Sequence, residues 1–140
     1  MGKWRFLLIP LFVLGAGLYM LLMYSGEEDY LQKREGEKNI TFMSGGLNEQ
    51  GRAILEGMGR KYSLKVIFSN ERGEYLSDVT VRILGQRGEP ILTTVSNGPW
   101  FFINLPSGTY DLEVSFRKNT KRISLVRIEE KSQTVVCVQW

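Results

Sequence analysis

The sequence predicts a mainly β fold, a seven-stranded antiparallel sandwich over residues 62–140, preceded by two helical segments. Three observations carry this. From Tyr62 onward apolar residues recur with a period of two, as half-buried strands require. Gly, Asn and Ser punctuate the stretch at short intervals, where turns favour them. No segment of helical period interrupts it, and strands joined only by turns close into an antiparallel sandwich. With 140 residues, the chain has room for one such domain and its appendages.

The first element is residues 1–26. After MGKWR, the nineteen residues 6–24 (FLLIPLFVLGAGLYMLLMY) carry no charge. As a helix this run would extend about 28 Å, close to the ~30 Å hydrocarbon layer of a bilayer, so it reads as a signal anchor, a single transmembrane helix. A cleaved signal is the alternative, with export to the periplasm as a soluble protein. Its only small-x-small site is Gly15 with Gly17, and residues 18–24 prolong the apolar run beyond it. Pro10 falls near the start of the run, where a missing N–H costs least. Lys3 and Arg5 precede the run, whereas Glu27, Glu28 and Asp29 follow it. The positive-inside rule then keeps the N-terminus cytoplasmic and puts residues 27–140 outside.

Residues 27–47 read as a tether. EEDYLQKREGEKNITFM is charged and without sustained period, and Ser44, Gly45 and Gly46 break the chain. Asn39-Ile40-Thr41 fits a glycosylation sequon, which has meaning only in a eukaryotic secretory pathway. An amphipathic helix is expected over residues 48–61 with Asn48 as its cap. Leu47, Gly51, Ile54, Leu55, Met58 and Tyr62 recur at three- and four-residue spacing. Gly51, Gly57 and Gly59 each cost on the order of 1 kcal/mol relative to Ala, so the helix needs something to dock on.

The seven strands follow. Leu64, Val66 and Phe68 share one face of the first, which stops at Asn70-Glu71-Arg72-Gly73; Val79, Val81 and Ile83 mark the second, ended by Gln86-Arg87-Gly88. Residues 91–95, 100–104, 109–116, 121–128 and 134–140 supply the rest. The last, TVVCVQW, is apolar on both faces, which suits a strand with neighbours on either side. Among Val135, Val136 and Val138, Cys137 reads as a small buried hydrophobe rather than an intermolecular disulfide.

Composition removes much chemistry. There is no His and one Cys. Ser-His-Asp and Cys-His arrangements, the usual zinc sites and an internal disulfide are thereby excluded, and neither cofactor nor metal is expected. Asp111, Glu113, Glu129 and Glu130 look like surface positions rather than a paired catalytic site. The net charge is +3, yet of the 18 basic residues Lys3 and Arg5 belong to the targeting segment; the 16 that remain face 15 acidic ones, a net of +1. That is no nucleic-acid binder's signature.

Residues 98–114 read GPWFFINLPSGTYDLEV. Gly98, Trp100, Phe102, Leu105, Pro106, Gly108, Tyr110, Leu112 and Val114 match a Gly, two alternating aromatics, a Leu-Pro-x-Gly-x-Tyr corner and an apolar alternating strand. This resembles the carboxypeptidase regulatory-like family of transthyretin-like, Ig-like β-sandwiches, over roughly residues 62–140. The chain also resembles a group of small exported bacterial proteins that bear this domain after a short helix. The resemblance implies fold and compartment. In metallocarboxypeptidases such a domain accompanies a zinc catalytic domain, which has no counterpart here. Transthyretin-like hydroxyisourate hydrolases rely on His residues and a C-terminal Tyr-Arg-Gly-Ser, whereas this chain ends Val138-Gln139-Trp140.

Within that motif, Trp100 and Phe102 are expected to point into the core, so that Phe101 and Ile103 face outward. With Ile67 and Leu84 they would form an apolar patch on the outside of a sheet. The helix of residues 48–61 covers this patch through Ile54, Leu55 and Met58, or a partner does, an envelope protein or a second copy of the chain, or the patch is simply exposed. Arg117, Lys118, Lys121 and Arg122 would form a basic hairpin tip, solvated or touching anionic lipid. The exported part then reads as a non-enzymatic, membrane-tethered binding or structural module. Its Trp and Tyr residues keep a carbohydrate- or wall-binding module as the alternative, on fold analogy alone.

Overall fold

The computed structural model describes residues 34–36 and 40–140, and the expected anchor of residues 1–26 lies outside them. Among the described residues, no helix is long and apolar enough to cross a membrane. The described residues form nine strands and one helix, in chain order β1 (Arg34–Gly36), β2 (Ile40–Gly45), α1 (Glu49–Gly59), β3 (Leu64–Ser69), β4 (Val79–Leu84), β5 (Pro90–Ser96), β6 (Trp100–Ile103), β7 (Gly108–Phe116), β8 (Asn119–Ile128) and β9 (Thr134–Gln139). A five-stranded sheet in the order β1-β2-β6-β3-β9 faces a four-stranded sheet in the order β5-β4-β7-β8. The expected mainly β sandwich is present, and its seven predicted strands correspond to β3 through β9.

Between the sheets lies one apolar core. Leu64, Val66 and Phe68 of β3, Phe101 and Ile103 of β6, and Ile40 and Phe42 of β2 meet Val79, Val81 and Ile83 of β4 and Leu112 and Val114 of β7. Turn chemistry sets the strand ends. The Asn70 side-chain oxygen accepts from the N–H groups of Arg72 (3.0 Å) and Glu74 (2.9 Å), and Gly73 supplies the positive φ of 79° that this turn requires. At the corner before β7 the Tyr110 hydroxyl donates to the Pro106 carbonyl at 2.8 Å, a bond of the tyrosine-corner type. Burial raises the Tyr110 phenol pKa above its ordinary value, in the direction that favours the neutral, donating form.

Four expectations are corrected. Part of the stretch read as tether belongs to the sheet: β1 pairs with β2, and β2 pairs antiparallel with β6, placing Met43 opposite Phe102 and Phe42 opposite Ile103. The sandwich is also not wholly antiparallel, because β9 runs parallel to β3, with Val136 opposite Val66 and Cys137 opposite Ile67. Third, among the described residues β9 has one hydrogen-bonded neighbour, β3, and stands at the edge of its sheet. Its core face, Val136, Val138 and Trp140, packs where the sheets approach, with the Trp140 ring centroid 6.2 Å from that of Phe68 and 5.9 Å from that of Phe116, whereas Val135 on the second apolar face is exposed. The indole N–H of Trp140 reaches the Asn119 carbonyl (3.1 Å), and the Thr134 hydroxyl donates to the Arg127 carbonyl (2.8 Å). Finally, Cys137, expected as a small buried hydrophobe, lies on the face of β9 turned away from the core and is exposed.

The helix arises from the same topology. Strands β2 and β3 both run antiparallel to β6 and therefore parallel to each other. Parallel strands of one sheet need a crossover connection, and α1 makes it across the outer face of β6, which lies between them. Asn48 caps it as expected, its side chain accepting from Gly51 N at 2.6 Å.

Candidate functional site

The outer face of the five-stranded sheet carries the chain's second apolar cluster. Met43 of β2, Phe102 of β6 and Leu55 of α1 are buried there, with Trp100 and Tyr62 packed against them. This reverses the expected facing of β6. Phe101 and Ile103 are fully buried between the sheets, Phe101 stacked 5.7 Å from Phe42, whereas Trp100 and Phe102 face outward under the helix. Register fixes this parity: Phe101 lies opposite Val66 and Trp100 opposite Ile67. Ile67 does face outward and is half-buried; Leu84 is buried on β4 of the other sheet. The four residues expected to form one apolar interface therefore share no surface.

The helix docks through Gly51, Leu55 and Gly59. Leu55 is the one member of the expected face that is buried, and Ile54 and Met58 stand 50% and 47% exposed. Glycine allows the approach: a Cβ on Gly59 would lie 2.2 Å from Phe102 Cε1. Lys65 pins the arrangement from below. Its Nζ stands 3.8 Å from the centre of the Trp100 ring and 5.5 Å from that of Phe102, and it bonds Glu56 of the helix at 3.0 Å. Strand alternation puts Lys65 on the outer face, a signal the sequence contains but that a charged residue between apolar ones tends to hide. Trp100 Nε1 is the one buried side-chain donor without a partner among the described residues.

The basic hairpin tip separates into three roles. Only Arg117 and Lys118 form the turn, with φ values of 46° and 67°, the geometry of a two-residue primed turn. Lys121 reaches across to the Gln139 carbonyl of β9. Arg122 lies on the outside of the four-stranded sheet, 2.7 Å from Asp111 and 3.0 Å from Glu113, and Arg82 bonds Glu113 at 3.3 Å. Its guanidinium, with a further bond from Leu125 N, holds the Asp111 carboxyl below the usual carboxylate range. Asp111 thereby stitches the irregular register where β7 and β8 slip between Tyr110 and Leu112.

At one end of the sandwich lies an open polar cleft of about 720 Å³, bordered by Tyr62, Asn104, Ser107, Glu130 and Gln133 among others. Ser63 on its wall is occupied structurally, accepting from Leu105 N at 2.8 Å and donating to Leu105 O at 3.1 Å. Among the described residues no group of His, Cys, Asp and Glu side chains is placed to hold a metal ion. Neither the models of known protein families nor the curated proteins give a match to this chain.

Proposed function

We propose that the protein is a membrane-tethered, extracytoplasmic β-sandwich module without catalytic chemistry, which binds a protein partner or holds a structural place in the cell envelope. The observation that carries this reading is the uncharged run of residues 6–24 between the basic Lys3 and Arg5 and the acidic Glu27, Glu28 and Asp29. The described titratable side chains with displaced pKa values have structural work: Tyr110 closes the corner, and Asp111 and Arg122 bind one another. The corner bond between Tyr110 and Pro106 favours assigning the sandwich to the carboxypeptidase regulatory-like, transthyretin-like family.

A second reading, a carbohydrate- or wall-binding module, draws support from the polar cleft beside Tyr62 and Asn104. The full chain with a C-terminal tag, fractionated and weighed, tests the tether. An intact N-terminus that resists carbonate extraction is expected; a shortened protein released by osmotic shock would make the module soluble. Crosslinking followed by pull-down, set against tryptophan fluorescence with a panel of glycans, separates the two readings. One dominant envelope protein with unmoved fluorescence supports the first, and a saturable glycan response without a protein partner supports the second.

A further inference from the structure

We infer that the flank of α1 bearing Ile54 and Met58, with the neighbouring Leu47, is a surface that lies on the membrane. This rests on the tether reading and adds to it a defined face of the sandwich. Successive helical residues are about 100° apart. Gly51, Leu55 and Gly59 point at the sheet. Arg52 and Glu56 lie to one side of that direction, where Glu56 bonds Lys65 of β3 and Arg52 stands over the ring of Tyr75. Ile54 and Met58 consequently lie on the opposite side, above β2 and toward the β1 edge of the sheet.

They are 50% and 47% exposed, and Leu47, at the helix entrance, is 62% exposed. Apolar side chains aligned along one helix flank and open to solvent form a stripe suited to burial against an apolar surface. Chain length says which. Strand β1 starts at Arg34, so nine residues, 25–33, separate it from the apolar run. Nine residues can span at most roughly 30 Å. The sandwich thus hangs by its β1 edge within a short distance of the bilayer, and the apolar flank of α1 is on that edge. A lipid headgroup and acyl boundary takes up such a stripe without a shaped partner.

The test uses the full chain reconstituted in phosphatidylcholine and phosphatidylglycerol vesicles, in a Cys137→Ser background, with a fluorophore attached at Met58→Cys or, as a control on the other sheet, Val95→Cys. Met58 is half exposed and Val95 is 45% exposed, so both positions accept a label. The label at 58 is expected to lose aqueous iodide quenching and gain quenching by doxyl-labelled lipid, and the label at 95 to behave oppositely. Equal iodide quenching at both positions, with the protein still resisting carbonate, would overturn the surface and leave the tether standing. Shielding at 58 that ignores doxyl lipid and grows with the protein-to-lipid ratio would also overturn it, naming a second copy as the occupant. Release into the carbonate supernatant would sink tether and surface together.

Discussion

The Lys65 ammonium stands 3.8 Å above the centre of the Trp100 ring. It links the sheet to the helix, because the same Nζ bonds Glu56 at 3.0 Å. Lys65 is 8% exposed, so the cation–π contact is largely desolvated and contributes on the order of 1–2 kcal/mol. The Glu56 carboxylate is half exposed, so its ion pair adds at most about 1 kcal/mol. A double-mutant cycle with Lys65→Met and Trp100→Leu should give a coupling of about 1 kcal/mol in urea unfolding. Additive single effects would mean that the ring and the ammonium merely lie near each other.

Gly57→Ala and Gly59→Ala should move stability in opposite directions. Nothing lies within 4 Å of a Cβ on Gly57, so Ala there should stabilise by about 0.5–1 kcal/mol through propensity. At Gly59 the added methyl would meet the Phe102 ring and should destabilise by about 1–3 kcal/mol. Thermal midpoints of the two variants check this, and pairing Gly59→Ala with Phe102→Leu should recover part of the loss.

Asp111 should make stability fall in acid. Because its folded-state carboxyl titrates below the ordinary value, the stabilisation is fully present above about pH 4 and is lost as the pH drops through the lowered value. Asp111→Asn should lower the thermal midpoint at neutral pH, and its curve should converge with the parent's toward pH 2. A constant gap across that range would assign the effect to packing at the strand slip.

Much of the fold is legible because most of its strands carry alternation and turn residues in the chain itself. Val79, Val81 and Ile83, or Leu112 and Val114, announce which side is buried. Trp100-Phe101-Phe102-Ile103 does not, since an apolar residue stands at every position. Such a run marks a strand covered on both faces and leaves its parity open until partners are known. Here pairing with β3 and the cover supplied by α1 decide it. The docking face of the helix was partly hidden for a different reason. Gly51 and Gly59 weaken a helix by propensity, yet they form its contact surface, because close packing on Phe102 rewards the missing side chain. Ile54 and Met58 share a helical face with Leu55 by spacing, but the docked orientation turns them to the flank. The parallel placement of β9 has no local signal, as periodicity identifies a strand and not its neighbour.

Cys137 offers a direct check of the β9 edge. Its side chain is exposed, so a thiol reagent should modify the native protein to completion without denaturant, leaving the thermal midpoint nearly unchanged. Protection that vanishes only in urea would mean that the outer side of β9 is covered, by a partner strand or a second copy.

The parity of β6 can be read from core truncations. Phe101 is fully buried and stacked on Phe42, so Phe101→Ala should cost about 3–5 kcal/mol and reduce unfolding cooperativity. Ile67→Ala, at a half-buried position on the outer face, removes less contact and should cost well under half as much. Trp100→Ala separates the helix from the sandwich as units of stability. It removes the ring beneath Lys65, so protease cleavage within α1 should rise several-fold while amide exchange in β4 and β7 keeps the protection of the parent. Equal loss of protection in α1 and in those strands would show that the helix and the sandwich unfold as one unit. The outer cluster would then belong to the same cooperative core as the layer between the sheets.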